Sequence, residues 1–585
     1  MKIRVVLKYG FAALVAGVLV LQVASAGAAP SGPLTRVSKT TILDSIGYNA
    51  EVQPAIATAP GSKTLVSAFE VNRAYNGGAS AIGWATSVNG GKSFKHGLLP
   101  LTVQAGGPGT IWRGADPTVA YSARYGQWLV AATALGSTAN TQGLYVSRSS
   151  DGKSWGSIIL VHSAGTGDTP SKSWLACDNK SSSAGYGNCY LAWTNTASTP
   201  ANQLQFSRST DGGSTWSAAV GATGPATGTQ VVPQVQPPAP SAPVGSTCGR
   251  VVVPYAPNTT SVSYVASSDC GLTFGAATSV TSTQAAQHTP AQGLRVNSPG
   301  LSSSTDGAGG VYLTWQTRSF RITQTTLAAA ASAGATNIKV SSVTGMVAGN
   351  TLTVDTGANA ETVTITAVGT SGAGGTGVTI NPALAFAHAQ GAFVTVNGVP
   401  STSTAAPNDI ALAVMPAPTD ATPAPNFGAP SRIAVESDAG ASTNTVDHFT
   451  GAIAADTNTS GASTHLALFY YFYPLSACQY VQDLGSSLNC HPSFGYASST
   501  NAGGSWSAPQ TLATMDGLAV LPRTGTIGTT GNGNPDLGLY TDAAVIPFGP
   551  LAGKAISVFD YGLTTNKMDV SMYVPSHGLT IGGGS

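Results

Sequence analysis

Five short stretches of this 585-residue chain share one order of residue types, and that order dictates a local structure. They are Ser209-Thr210-Asp211-Gly212-Gly213-Ser214-Thr215-Trp216, Ser87 to Phe94, Ser149 to Trp155 (one residue short), Ser267 to Phe274 and Ser499 to Trp506. Each runs hydroxyl, Asp or Asn, Gly, hydroxyl, aromatic. An Asp or Asn side chain bonds backbone two residues on, and Gly supplies positive φ without a Cβ clash. The aromatic then leaves the turn to pack under the next strand. Each copy therefore reads as a tight hairpin joining two antiparallel strands.

The copies start at 87, 149, 209, 267 and 499, so the first three steps define one repeating unit of near-constant length. Within a unit, short apolar runs are broken by Gly, Ser and Asn, as at Pro117 to Tyr121, Trp128 to Thr133, Gly143 to Ser147 and Ile158 to Val161. That is four strands per unit with no helical periodicity. Four-stranded sheets repeated about an axis solve the edge-strand problem as a propeller. Units begin near 50, 113, 171, 230, 297, 446 and 534, and a strand near Thr35 to Leu43 closes the last. The expected fold is all-β, a propeller of seven blades, or of six if the last segment completes an earlier blade.

The long fourth step holds a segment of different character, 321–400, β-rich and almost uncharged. It interrupts the fifth blade between Val311 to Gln316 and Asp409 to Val414. The expected organisation is 1–26 leader, 27–320 first part of the propeller, 321–400 inserted small β domain and 401–585 the rest.

Lys2, Arg4 and Lys8, the apolar run Phe11 to Val23 and the small-residue end Ala24-Ser25-Ala26 are the three regions of a secretory signal, with cleavage expected after Ala26. The apolar run is too short for a stable membrane span, with an uncleaved anchor as the alternative to a cleaved signal. In an exported chain, six cysteines in three local pairs read as disulfides: Cys177 with Cys189, Cys248 with Cys270, and Cys478 with Cys490. No spacing suits a metal and no motif suits a cofactor. The leader takes three of 25 Lys and Arg, against 24 Asp and Glu, which leaves a slightly acidic chain without the charge for nucleic acid. With charged residues only 8% of the chain, few carboxylate interactions are lost on protonation, and tolerance of mildly acidic media is expected.

The repeated turn resembles the Asp-box (BNR) repeat, S-x-D-x-G-x-T-W, of the sialidase superfamily. In that family the box joins the third and fourth strands of a blade, on the face opposite the active site. The resemblance implies a site on the other face, where loops join blades. A sialidase uses three arginines on a carboxylate, a tyrosine nucleophile activated by a glutamate, and an aspartate acid/base. The positions projected onto that face offer Arg73, Arg113, Arg295, Arg318 and Arg523 for binding, with Trp112 and Trp174 as aromatic platforms. Tyr540 (or Tyr470, Tyr471, Tyr473) is the nucleophile candidate, with Glu51 or Glu70 as its partner and Asp116 as acid/base. The family's Arg-Ile-Pro signature is absent; Phe320-Arg321-Ile322-Thr323 lacks the proline. Other propellers cleave uronic polysaccharides by elimination, and His448 beside Asp447 would suit that base.

The expected function is that of a secreted or cell-surface-associated, monomeric, glycan-active propeller working on an extracellular polysaccharide or glycoconjugate, a glycoside hydrolase by the resemblance. Non-catalytic glycan or protein binding is the alternative, and polysaccharide lyase activity the third reading.

Overall fold

The computed structural model describes residues 33–38, 48–74, 77–100, 113–136, 141–281, 294–320, 322–355, 359–400, 407–420, 424–433, 435, 446–474, 490–524, 534–562 and 570–582. The expected leader, Trp112 and Cys478 lie outside these. Among the described residues the fold is all β, with single 3-10 turns at Gly461–Ser463 and Leu518–Val520.

Alternation of small apolar and hydroxyl residues builds antiparallel meanders. Glu51–Thr58, Leu65–Arg73, Ala79–Ser87 and Lys95–Leu98 form the first blade. Arg113–Ser122 begins the second, Pro170–Cys177 the third, Gln234–Gln236 the fourth, Ser302–Thr305 the fifth, Val446–Ala455 the sixth and Asp542–Val545 the seventh. Among the described strands the third to sixth units are four-stranded sheets, the first two share one eight-stranded sheet, and the last is a five-stranded sheet. The seventh is completed from the other end of the chain: Leu34–Arg36 pairs antiparallel with Tyr573 to Pro575. Ser38 Oγ then donates to Glu51 on the first blade, and Met572 N reaches the same carboxylate oxygen at 3.3 Å. First and last blades are thereby joined through backbone pairing and a shared carboxylate.

Ile322–Thr326 to Phe393–Pro400 build a separate six-stranded sheet with its own core, including Ile338, Leu352, Ile365 and Val394. It leaves and rejoins the fifth blade between Val311–Thr317 and Asp409–Met415, which pair in unbroken register from Val311↔Met415 to Thr317↔Asp409.

The five repeated turns share a pattern of side-chain-to-backbone hydrogen bonds. Asp211 Oδ1 accepts from Ser214 N and Thr215 N, both at 2.9 Å, while Ser209 Oγ accepts from Gly213 N at 2.8 Å. Asn89 and Asn501 make the equivalent bonds to Ser93 N and Ser505 N. The box glycines also set the spacing between blades. Gly152 lies on Val66, Gly213 on Leu129, Gly271 on Tyr190 and Gly503 on Leu412, each time on the preceding blade, and Gly91 of the first blade lies on Ile556 of the last. A Cβ at these positions would collide with the neighbour, so the glycine is needed both for its positive φ and for the close approach.

Two disulfides fall where expected. Cys177–Cys189 ties the first two strands of the third blade at directly paired positions, and Cys248–Cys270 ties the fourth blade to its own box. Cys490 is disulfide-bonded.

Candidate functional site

Every blade opens with a distortion that the side-chain pattern does not announce. Gln53, Asp116, Lys172, Gln230 and Thr450 all have positive φ, between 49° and 59°, and Gly300 and Gly538 take the corresponding places in the fifth and seventh blades. In four blades the register to the second strand slips there, as between Ala115 and Thr118. These are bulges, which bend the innermost strand and re-aim its side chains. Here they link one blade to the next. Glu70 Oε1 accepts from Asp116 N at 3.3 Å, Asp116 Oδ2 from Lys172 N at 3.1 Å, Gln230 Oε1 from Gly300 N at 2.8 Å, and Gln316 Oε1 from Thr450 N at 3.0 Å. Because the strain recurs in blade after blade, it belongs to the architecture and marks no single catalytic residue.

Inside this ring lies a cluster of buried charge. Arg73, at the end of its strand, is 2% exposed and contacts Glu70 Oε2 at 3.3 Å and Asp536 Oδ2 at 3.0 Å. Arg295 reaches the same Asp536 oxygen at 2.9 Å. It arrives on a strap, the connection between the fourth and fifth blades, which crosses to the seventh. Arg295 N donates to Pro535 O at 2.8 Å, and Leu294 is buried among residues of the sixth and seventh blades.

Burial pushes the Glu70 carboxyl up to about 7, against the pull of Arg73. Burial also works to raise Asp536, but Arg73 and Arg295 overcome it and hold Asp536 below its ordinary value. Burial lowers the proton affinity of the Lys172 amine, with Asp116 opposing.

Tyr540 closes the axis beside this cluster. Its hydroxyl donates to Pro117 O at 2.7 Å, across from the seventh blade to the second, and Trp174 meets its ring edge-on at 5.1 Å. Beyond them a cavity of about 490 Å³ runs along the axis, lined by the innermost strand of every blade, from Ile56 to Asp542. It reaches the turns after those strands, at Gly61, Asn179 and Asn458, the same end of the blades as the repeated Ser-x-Asp/Asn turns.

The structure therefore gathers some of the sequence candidates and disperses others. Arg73, Arg295, Asp116, Trp174 and Tyr540 come together. Glu51 does not: it is 4% exposed and occupied at the seam between the first and last blades. Arg113 is buried with Nη1 on Gly77 O at 3.2 Å, and Arg318 is buried in the fifth blade. Arg523 begins a two-residue strand, Arg523–Thr524, and its side chain lies outside the described residues. His448 is 1% exposed, stacked on Phe472 with Nδ1 toward Asn408 O, and so has no path to a substrate proton. Tyr470, Tyr471 and Tyr473 are core residues; the Tyr473 hydroxyl donates to Asp447 Oδ2 at 2.7 Å. Tyr540 is no activated nucleophile in this arrangement, because burial and then the nearby Asp116 and Glu70 push its phenol well up.

Of the five candidate arginines, Arg73 and Arg295 converge, and they do so on a protein carboxylate. The sequence projects Asp536, Lys172 and Asn297 onto the loop face by position but assigns them no catalytic or binding role. Their one sequence signal is position, within two residues of a blade opening or on the strap that meets it.

No family model matches the chain, and no curated protein matches it. Among solved structures it is similar to a protein of unknown function from Dyadobacter fermentans, at 15% identity, covering 62% of this chain and 99% of that one, with a TM-score of 0.33. It is also similar to an α-L-arabinofuranosidase from Podospora anserina in complex with cellotriose, at 12% identity over 48% and 88% of the two chains, TM-score 0.30. A third is an exo-β-1,3-galactanase from Phanerochaete chrysosporium with β-1,3-galactotriose, at 12% identity over 64% and 97%, TM-score 0.29. The fold assignment rests on the strand topology above.

Proposed function

We propose that this chain is a glycan-active propeller of the cell exterior, working as a glycoside hydrolase at the end where its loops join the blades. The observation that carries the reading is the pair Glu70 and Asp536, two carboxyls on one arginine driven toward opposite protonation states. An acid raised to about 7 beside a carboxylate held below its ordinary value is the division of labour glycoside hydrolysis uses. The rings of Trp174 and Tyr540 add aromatic surface next to Asp116 and Lys172, around a cavity of about 20 Å³. The disulfides suit an oxidising compartment. A sialidase-like reaction on a terminal acidic sugar would need Arg73 and Arg295 released from Asp536, so neutral glycans are the better-supported substrate class.

Recognition without cleavage is the second reading. It is favoured by burial, since Glu70 and Asp536 are 1% and 0% exposed and both are engaged by Arg73.

A screen of the purified protein against a glycan panel, scoring binding and released sugar together, separates the two. Release abolished in Glu70→Gln with binding retained supports the hydrolase. Binding by the wild type with no release supports recognition. An acidic released sugar would restore the sialidase reading, and an unsaturated product would point to a lyase. Silence in both channels sinks the proposal.

A further inference from the structure

Lys172 presents an unusual pairing. Its side chain is half-buried at the opening of the third blade, where an ammonium would ordinarily be expected to have a carboxylate partner. Among the described residues, the one hydrogen-bond partner of Nζ is instead a neutral amide, Asn297 Oδ1, at 3.3 Å. The two residues come from the third blade and the strap, 125 positions apart. They line a cavity of about 20 Å³ together with Asp116, Trp174, Leu301, Leu539 and other side chains, room for one molecule the size of water or ammonia. Asp116 stands beside them, its Oδ2 accepting from Lys172 N at 3.1 Å.

We propose that Lys172 and Asn297 are the two halves of an intramolecular isopeptide bond, formed autocatalytically with the Asp116 carboxylate as proton shuttle. Nζ attacks the Asn297 side-chain carbonyl carbon, one bond away from the oxygen it already contacts. The Nζ–Cγ bond forms and the Cγ–Nδ2 bond breaks. Asp116 takes one proton from the attacking nitrogen and returns it to Nδ2, which leaves as ammonia into the small cavity. No oxidant, reductant or co-reactant enters, and no net proton is consumed.

Three features favour the step. Burial favours the neutral amine that attack requires, outweighing the opposing pull of Asp116, and Arg295 nearby adds to it. Both reacting groups are pre-positioned, the lysine by a bulge and the asparagine by a strap anchored through Arg295 to Asp536. The apolar walls at Trp174, Leu301 and Leu539 limit competing water. The product would fasten the strap to the third blade and fix the loop end of the ring covalently, whether or not the protein cleaves glycans.

The test is peptide mapping by mass spectrometry on the full-length protein after reduction and alkylation. The expected result is one branched species joining the Lys172 and Asn297 peptides, lighter than their sum by one ammonia, with no tryptic cleavage after Lys172. The species should vanish in Lys172→Arg and be lost or strongly delayed in Asp116→Asn, with circular dichroism confirming that the variants fold. Recovery from wild-type protein of separate peptides, Lys172 unmodified and Asn297 intact or merely deamidated, overturns the proposal without reference to any variant. Undiminished joining in Asp116→Asn overturns the role of that carboxylate.

Discussion

Arg73 and Asp536 meet at 3.0 Å across 463 residues of sequence, joining the first blade to the start of the last. Both are buried, and Arg295 shares the same carboxylate oxygen, so one carboxylate is divided between two cations, with Glu70 also 3.3 Å from Arg73. Removing one partner of a buried pair leaves an uncompensated charge, which costs more than the pair itself contributes. Asp536→Ala should therefore destabilise by about 3–5 kcal/mol, read as a lower urea midpoint with unchanged slope. An unchanged midpoint would mean that water or another group already compensates Arg73.

The box turns should separate backbone strain from close packing. Gly213 and Gly224 have φ of 84° and 74°, but only Gly213 lies against the preceding blade, on Leu129; Gly224 has open space where a Cβ would go. Gly224→Ala should cost about 1–2 kcal/mol for the left-handed backbone alone. Gly213→Ala adds an overpacking cost of about 1–3 kcal/mol. Asp211→Asn should be close to neutral, because Asn already serves at positions 89 and 501. Chemical denaturation of the three variants checks the ranking, and equal losses for the two alanines would refute the interblade contact.

What the sequence disclosed and what it hid follow from the range of the interactions. The box is local chemistry, complete within eight residues, so its hydroxyl, acid, glycine and aromatic could be recognised and its spacing converted into blades. The closure by Leu34–Arg36 was legible because an unpaired edge in the last unit demands a strand. The bulges were not, because Gln53, Asp116, Lys172, Gln230 and Thr450 share a backbone state and no side-chain type. The site suffered most. Arginines on one face suggested an anion site, but whether an arginine is available depends on what it already holds, and Asp536 lies hundreds of residues from Arg73. His448 and Glu51 read as loop residues, yet the ring buries both.

Acid–base linkage gives a pH profile with a definite sign. Burial raises both Glu70 and Asp542 to about 7, above their ordinary values of 4.5 and 3.8. A group raised on folding contributes stability that is fully present below its ordinary value and is lost as pH rises through the folded one. Asp536, Asp211 and Asp269 are lowered, and backbone N–H groups of Ser154 and Lys153 hold Asp151 at about 2. Their contributions are present above the ordinary carboxylate value and disappear only in strong acid. Melting temperature should accordingly peak between about pH 4 and pH 6 and fall toward pH 8. Glu70→Gln and Asp542→Asn should each flatten the fall, and a melting temperature that climbs from pH 5 to pH 8 contradicts the assignment.

The inserted sheet carries its own titrating lock, at His388. The imidazole side chain is wholly enclosed, with Nδ1 at 2.9 Å from Asp355 Oδ2 and Nε2 at 2.7 Å from Glu361 Oε1. Two carboxylates can only accept, so both ring nitrogens carry protons and the ring is an imidazolium. Burial works against that charge, but the hydrogen bonds to Asp355 and Glu361 prevail and raise the histidine above its ordinary value. Glu361 also accepts from Ala385 N and Phe386 N, at 2.6 and 3.0 Å, so the clamp pins the whole turn between Val378–Asn381 and Phe393–Pro400. Stability from a raised histidine is complete below its ordinary pKa and is lost as pH rises through the folded value. Amide hydrogen exchange in residues 382–391, corrected for the intrinsic pH dependence of exchange, should therefore accelerate between pH 6 and pH 9 while the propeller strands hold. His388→Gln, which can satisfy one carboxylate but not both, should show the fast exchange already at pH 6. Equal protection of the turn at both pH values in the wild type would mean that the imidazolium does not hold it.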